Sequence, residues 1–545
     1  MHYSDEEILE YSMGNDFAFY AWRSSYESFN ASFTCYKSLF YDRFIKPIEN
    51  KRMSLQEKCI ELQNTYRGEL DKYISLYDKD KLLVGLFTIK EYITKDMTNL
   101  ISKSIHITEE QSVINLLIFL IYNREYQDKG HSLYTIDTES NSFLNDIFTY
   151  ARWYNLLFAN MERIEDVDES RVSLADMAFT TVETPSFHDY FDEFESLGSE
   201  EKIEEYQILD QNVKMQVERL KISLNDIRQK SDRIIYDVFG FHLNTLECMM
   251  RCTVYTFLTQ DISDFYKYIH DKDEYYNVIP IPIEILYELA NKNNIKRDEL
   301  NNIIKLFSIN QKEEKAIELS CFYLNDDNIC FGICDFMQTS CIFEKFALSG
   351  AHLQYYNNED HNYINLLNSS QKDMSKYLCF VMADVLLKNG YKLPTEVFSY
   401  NDSRYKAPKV EIDNITYEKR NILKDLGDCD VLFLSESSAS IICIEFKYFV
   451  PSVTYKELKK TDRNKITKQI YEKLPQIQNR EKALKDNIPY LIDFMGGKPQ
   501  NYSVRTIIVL ARPNMYVFSD EIKGRIPYEF MTMNEFIKKA DDHYF

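Results

Sequence analysis

Apolar residues recur at intervals of three and four over most of 4–154, most regularly in 53–77 and 82–101, and that spacing predicts an array of amphipathic helices. The pattern lapses over 162–205, where acidic residues gather around Pro185 and Gly198. That stretch reads as a solvated connection, with a cover for a basic surface as the alternative. Leu209, Val213, Val217, Leu220, Leu224 and Ile227 then step by 4, 4, 3, 4 and 3, which predicts one long helix over 204–235. Its coiled-coil-like seam is expected to pack within its own domain or against a second copy of the chain. Asn and Ser crowd 355–371, the expected domain boundary. A helix over 373–389 should stop before Gly390, followed by a strand-like segment at 395–400. Apolar runs at 431–434, 441–446 and 504–510 predict strands, 528–533 a further one, and a closing helix ends the chain. Between them, Ile466, Ile470, Leu474, Ile477 and Leu484 form a helical stripe, with a kink expected at Pro475. The expected architecture is a mainly α region over 1–370, with a split near 163–205, followed by an α/β domain over 371–545.

One stretch carries a chemistry. The runs 431–434 and 441–446 flank the polar segment 435–440, so the chain should fold back as a β-hairpin. With the turn centred between Ser437 and Ser438, residues whose numbers add to 875 face each other, and Asp430 meets Glu445. Opposed side chains sit about 5 Å apart, so two carboxylates there repel unless a positive charge lies between them. Mg2+ suits such oxygen ligands, taking one or two carboxylates, several waters and substrate phosphate. Lys447 shares the face of Glu445 and can orient a water or stabilise charge on phosphorus, while Ile444 and Phe446 point the other way with Val431 and Phe433. The competing reading is a surface hairpin whose polar face is simply wet.

Charge changes the picture only when divided. The chain of 545 residues carries a net charge of −22, but 401–545 hold 24 basic and 21 acidic residues, so the acidity belongs to 1–400. A phosphate-binding surface needs local positive charge, and 451–488 hold ten cations against five acids. Lys465, Lys468 and Gln469 lie off the apolar stripe there and are the candidate nucleic-acid contacts, a solvated helix face being the alternative. The lone residues His106 and His131 read as surface groups. Cys248 and Cys252, and the group Cys321, Cys330, Cys334 and Cys341, lack a CxxC pair and read as buried free thiols. No GxxxxGK[ST] or GxGxxG loop is present, so nucleotide hydrolysis and dinucleotide chemistry have no support. The opening residues lack a secretory pattern and the oily run 113–121 is too short to span a bilayer, so a cytoplasmic protein with no membrane partner is expected.

Gly-Asp-Cys-Asp-Val followed by Ile-Cys-Ile-Glu-Phe-Lys resembles the core signature of the PD-(D/E)xK nuclease superfamily, over roughly the last third of the chain. The literal Pro-Asp is absent. The resemblance implies a restriction-endonuclease-like αβββαβ core with a mixed sheet. It makes Asp430 and Glu445 the metal ligands, joined by the Phe446 carbonyl, and Lys447 the residue that positions water. Asp428 competes for the first role. Asp384, on the apolar stripe of Tyr377 and Val381, and Glu396 are the candidates for an additional acidic residue. The implied activity is a Mg2+-dependent phosphodiesterase, with Mn2+ as a substitute metal, acting on nucleic acid and on DNA above all, in a setting such as defence against foreign DNA. The alternative is a nuclease-like module that binds nucleic acid or assembles without catalysis.

Overall fold

The computed structural model describes residues 5–31, 40–101, 109–123, 138–163, 172–180, 206–259, 278, 280–309, 320–349, 361–400, 403–413, 415–449, 463–511 and 524–545. Its contacts divide the chain into two units, one of Met1–Thr184, Ile235–Lys345 and Tyr355–Asn357, the other of Pro185–Ile234, Phe346–Gln354 and Asn358–Phe545. The last change from the first unit to the second, at Asn358, falls inside the expected boundary segment 355–371, but the second unit also takes in Pro185–Ile234, so the chain does not divide at one point near 370. A single helix, His361–Lys388, runs through it. The Ser residues that suggested a linker are hydrogen-bonding groups: Lys230 donates to Ser369 at 2.9 Å and pairs with Asp373 at 2.5 Å, and Ser370 is buried beside Ser231.

The first unit is mostly helical, as its 3.6-residue period predicts. Leu55–Ile74 packs along Thr138–Arg163, and Asp5–Ala31 along Lys79–Ile101. Its interior is unusually aromatic, with Tyr66, Phe87, Phe148, Phe241, Phe307 and Phe343 fully buried. A small antiparallel sheet of Ile281–Pro282, Asn328–Cys330 and Tyr323–Asn325 was not expected from the sequence. The buried Glu91 carboxylate accepts the amides of Cys334 (2.8 Å) and Asp335 (2.9 Å) and so caps the helix Ile333–Ser349. Gly332 makes room for it, since a Cβ there would lie 2.1 Å from a Glu91 oxygen. The described cysteines are free thiols; Cys321 and Cys330 are buried as expected, whereas Cys248, Cys252, Cys334 and Cys341 are only partly so. No described helix is long and apolar enough to cross a membrane. His106, His131 and most of the acidic stretch 162–205 lie outside the described residues.

In the second unit, elements are labelled from its first described helix. The expected long helix over 204–235 is two: α1 (Gln211–Leu220) and α2 (Leu224–Phe239). Lys221 adopts a left-handed conformation (φ 54°) that ends α1, and Ser223 and Asp226 form a reciprocal cap that starts α2. Val213, Val217 and Ile227 from the expected seam are buried in this unit's own core, whereas Leu209 and Leu220 are exposed.

After α3 (His361–Lys388), the chain forms two short antiparallel ribbons, β1 (Thr395–Tyr400) with β2 (Ser403–Pro408) and β3 (Thr416–Tyr417) with β4 (Arg420–Asn421). Then come β5 (Val431–Ser435), β6 (Ser440–Lys447), α4 (Arg463–Gln469), α5 (Leu474–Lys485), α6 (Ile488–Phe494), β7 (Ser503–Leu510), β8 (Glu529–Thr532) and α7 (Met533–Asp541). Pro475 sits in the first turn of α5, where its missing N–H costs nothing, so it starts a helix rather than kinking one.

The main sheet has the order β8-β7-β6-β5, with β5 and β6 antiparallel and the other two pairings parallel. The strand-like segment at 395–400 does form a strand, but it pairs with β2 outside this sheet. Only Lys392, before it, bridges to Leu434 of β5. Side chains alternate as a strand requires: Val431, Phe433, Ile442, Ile444 and Phe446 face the core shared with α3 and α7. The opposite face is covered too, since Leu432, Leu434, Ile441 and Cys443 pack under Leu484 of α5 and Leu491 of α6. A wet surface hairpin is thereby excluded.

Asp384 anchors the start of the unit. Its carboxylate, buried on α3, accepts from the Tyr206 hydroxyl (2.7 Å) and from the amides of Leu209 (3.2 Å) and Asp210 (2.7 Å), fixing the segment that leads into α1. Asp384→Ala leaves three donors without their acceptor and should lower the stability of this unit by about 2–3 kcal/mol. Denaturant melts checked against Asp384→Asn, which keeps one acceptor, should show the alanine variant clearly lower. A loss below about 0.5 kcal/mol, the range of ordinary surface changes, would refute the anchoring role.

Candidate active site

Two features of the hairpin build the site. The pairs Val431–Ile444, Leu432–Cys443, Phe433–Ile442, Leu434–Ile441 and Ser435–Ser440 all add to 875, the register read from the sequence. A four-residue turn, 436–439, closes it, with Ala439 in the left-handed region (φ 48°). Asp430 immediately precedes β5, just before the first pair, Val431–Ile444; its amide donates to the Ile444 carbonyl at 3.2 Å, and Glu445, next along β6, shares a face with Lys447.

The site is small and nearly dry. Asp430 Oδ2 accepts the Phe446 amide at 2.6 Å, taking an N–H that β5 starts too late to bond. Lys447 Nζ donates to Glu445 Oε1 at 2.5 Å. Arg480, from α5, donates through one Nη to Glu445 Oε2 and through the other to the Asp428 carbonyl. Glu445 and Arg480 are buried, with side chains only 9% and 4% exposed, and Lys447 keeps 20%. Gly427 is required at φ +77°, and a Cβ there would come within 2.8 Å of Gln476 and 3.4 Å of Arg480, so the loop before Asp430 lies flat against α5.

The two carboxylates titrate in opposite directions. Burial, reinforced by the neighbouring charge of Glu445, pushes Asp430 up to about 7, against the weaker pull of Lys447 and the Phe446 amide. Burial also pushes Glu445 up, but the charges and hydrogen bonds of Lys447 and Arg480 more than reverse it, holding it below its ordinary value. Burial opposes a charge on Lys447, yet Glu445 and Asp430 outweigh it and keep the amine protonated.

The sequence candidates do not all converge here. Asp430, Glu445 and Lys447 do. Phe446 presents its amide to Asp430, and its side chain lies in the core on the other face. Asp428 contributes its backbone carbonyl to Arg480 and a negative charge that raises Asp430 further. Asp384 is absorbed in holding 206–210, which accounts for a carboxylate on an apolar stripe without any ligand. Glu396 pairs with Lys409 at 2.6 Å at the foot of the β1–β2 ribbon. Neither serves as a further acid in this cluster. On α4, Lys468 and Gln469 are exposed and Lys465 is half-buried, while Lys456, Lys459 and Lys460 of the basic stretch lie outside the described residues. The residue missed is Arg480. It was counted among the surface cations, although it fills the gap between Ile477 and Leu484 on the apolar stripe, where a cation needs a buried partner.

As a donor set, Asp430 and Glu445 match what Mg2+ takes from a protein, one or two carboxylates. Asp430 is raised first by burial and only then by the Glu445 charge, so the shift by itself does not point to a cation. No group of three or more His, Cys, Asp or Glu side chains with metal-ligand geometry occurs among the described residues, so any metal here would rest on the pair. No family model, no curated protein and no solved structure matches the chain.

The direction of the Asp430 shift has a stability consequence. Between about pH 4 and about pH 7 the folded carboxyl holds a proton that the unfolded one releases, so the metal-free fold loses stability as pH rises through this window. Asp430 retains some solvent exposure, which limits the loss to about 1–3 kcal/mol. In metal-free buffer, Asp430→Asn should melt several degrees above wild type at pH 8 and level with it near pH 4. A difference that does not change with pH would contradict the shift.

Proposed function

We propose that the second unit is a metal-dependent nuclease that hydrolyses phosphodiester bonds, DNA by preference, built on a restriction-endonuclease-like core. The observation that carries this reading is the hairpin, which sets Asp430, bonded to the Phe446 amide, beside the strand segment where Lys447 pairs with Glu445. A hairpin followed by helices and a parallel strand, with helices over both faces, supports the same assignment at the level of topology.

In this reading Asp430 and Glu445 hold Mg2+, with Mn2+ as a substitute, and the ion when bound supplies Lewis acidity toward a phosphoryl oxygen. Lys447, protonated and partly open to solvent, orients the attacking water and stabilises charge developing on phosphorus. Arg480 fixes the Glu445 carboxylate and ties it to the Asp428 loop, so that both acids keep their positions as the substrate arrives. Lys468 and Gln469 on α4 offer contacts to the backbone of the nucleic acid. Defence against foreign DNA is a setting that fits this architecture.

The chain Lys447–Glu445–Arg480 favours a second reading, since a carboxylate bonded on both oxygens by cations is also how a silent site looks. In that case the unit binds nucleic acid or assembles without catalysis.

Two measurements separate them. Plasmid cleavage in Mg2+ should fall by about 10³-fold in Asp430→Ala and Lys447→Ala and vanish in a chelator. Equal products from all three proteins would place the activity elsewhere, and absence of cleavage in every condition would favour the silent site. Independently of turnover, millimolar Mg2+ should raise the melting temperature of wild type but not of Asp430→Asn, because only a metal bound to the native state stabilises it.

A further inference from the structure

We propose that the β1–β2 ribbon is a DNA-seating arm, whose outer face lies on the backbone of a double-stranded substrate through Arg404 and Lys406. The inference rests on the nuclease reading for the identity of its ligand, but its own support is the ribbon.

Both legs of the ribbon are rooted on the segment Cys429–Leu434 that carries Asp430. On one side Lys392 exchanges backbone hydrogen bonds with Leu434 (3.0 and 2.8 Å). On the other, the Glu411 amide donates to the Asp430 carbonyl at 3.1 Å, and Ile412 and Cys429 exchange two further bonds. The ribbon is thus a continuation of the site's own scaffold.

The two faces differ. Phe398 and Tyr405 stack with ring centroids 5.9 Å apart on the inner one, beside Ala407, where Arg219 of α1 lies 4.7 Å from the Phe398 ring and Gln216 bonds the Pro408 carbonyl. Glu396 is on this side as well, neutralised by Lys409. The outer face is formed by the opposed pairs Thr395–Pro408, Val397–Lys406 and Ser399–Arg404. It carries two cations and no acid. Neither Arg404 nor Lys406 has an acidic partner among the described residues, and Val397 between them is 60% exposed.

In a chain of net charge −22, an exposed strip with cations of one sign and an apolar residue between them complements a polyanion. A two-stranded ribbon seated along the wide major groove of B-form DNA puts long cationic side chains within reach of the phosphates that flank the groove, whereas the deep, narrow major groove of an RNA duplex excludes it. This points to duplex DNA as the occupant.

The test is the salt dependence of binding to a labelled DNA duplex, followed by fluorescence anisotropy in metal-free buffer so that no hydrolysis intervenes. Loss of two phosphate contacts in Arg404→Ala/Lys406→Ala should reduce the slope of log K against log salt by roughly 2 and weaken binding about tenfold or more. Removing two exposed cations elsewhere in the unit, Lys372→Ala/Lys538→Ala, should leave the slope as in wild type. An unchanged slope in the ribbon variant, an equal loss in the control pair, or no binding of wild type to duplex DNA would overturn the arm. Equal competition by an unlabelled RNA duplex would overturn the duplex-DNA assignment. Cleavage by wild type that survives Lys447→Ala would sink the nuclease reading alone, since the slope is measured without turnover.

Discussion

Two carboxylates held within reach of each other's charge at the end of a largely buried hairpin are the constraint around which the second unit is organised. Left alone, Asp430 and Glu445 would repel and weaken the pairing that joins them. The fold answers on three sides: Lys447 from the same strand, Arg480 from the covering helix, and the Phe446 amide from the sheet itself. The division of labour is uneven. Glu445 receives both cations and is held ionised, whereas Asp430 receives only the amide and is left close to neutrality. Separated titration of two neighbouring acids is a common mark of sites that handle protons or metals, although buried structural ion pairs produce it as well.

The helices over the sheet are then more than packing. α5 brings Leu484 to the apolar part of the sheet and Arg480 to its polar end, four residues apart on one face. Gly427 lets the Asp428 loop approach that helix closely enough for the guanidinium to reach a backbone carbonyl. Core packing and site electrostatics therefore share a single element, and neither can shift without the other.

What was legible in the sequence follows from the strength of each periodic signal. The hairpin register was readable because alternation has a period of two and a centre between Ser437 and Ser438 sets every pair, as the five pairs from Val431 to Ser435 follow. Both strand faces are apolar along most of their length, which the sequence shows in the run 441–444, yet the presence of Lys447 suggested a polar face throughout. Arg480 escaped because a cation in a basic stretch is ordinarily solvated, and only its place on the apolar stripe indicated otherwise. The break between α1 and α2 was hidden since Lys221 is an uncommon residue in a left-handed conformation, and a stripe continuing through Leu220 and Leu224 masked it. Asp384 stood out correctly as an anomaly, but its partners, Tyr206 and two amides, are more than 170 residues away in the chain and no local pattern announces them.

The four-residue turn of the hairpin carries one further implication, for how this protein can vary among its descendants. Side chains on paired strands alternate, so one residue added to β6, with β5 and the four-residue turn unchanged, would move Ile444 into the place of Glu445 and turn the lysine toward the oily core. Growth by two, split evenly about the turn, preserves the meeting of the acids. Additions held within the turn leave the pairing untouched, so the loop can grow by any number while the strands can lengthen only in matched steps.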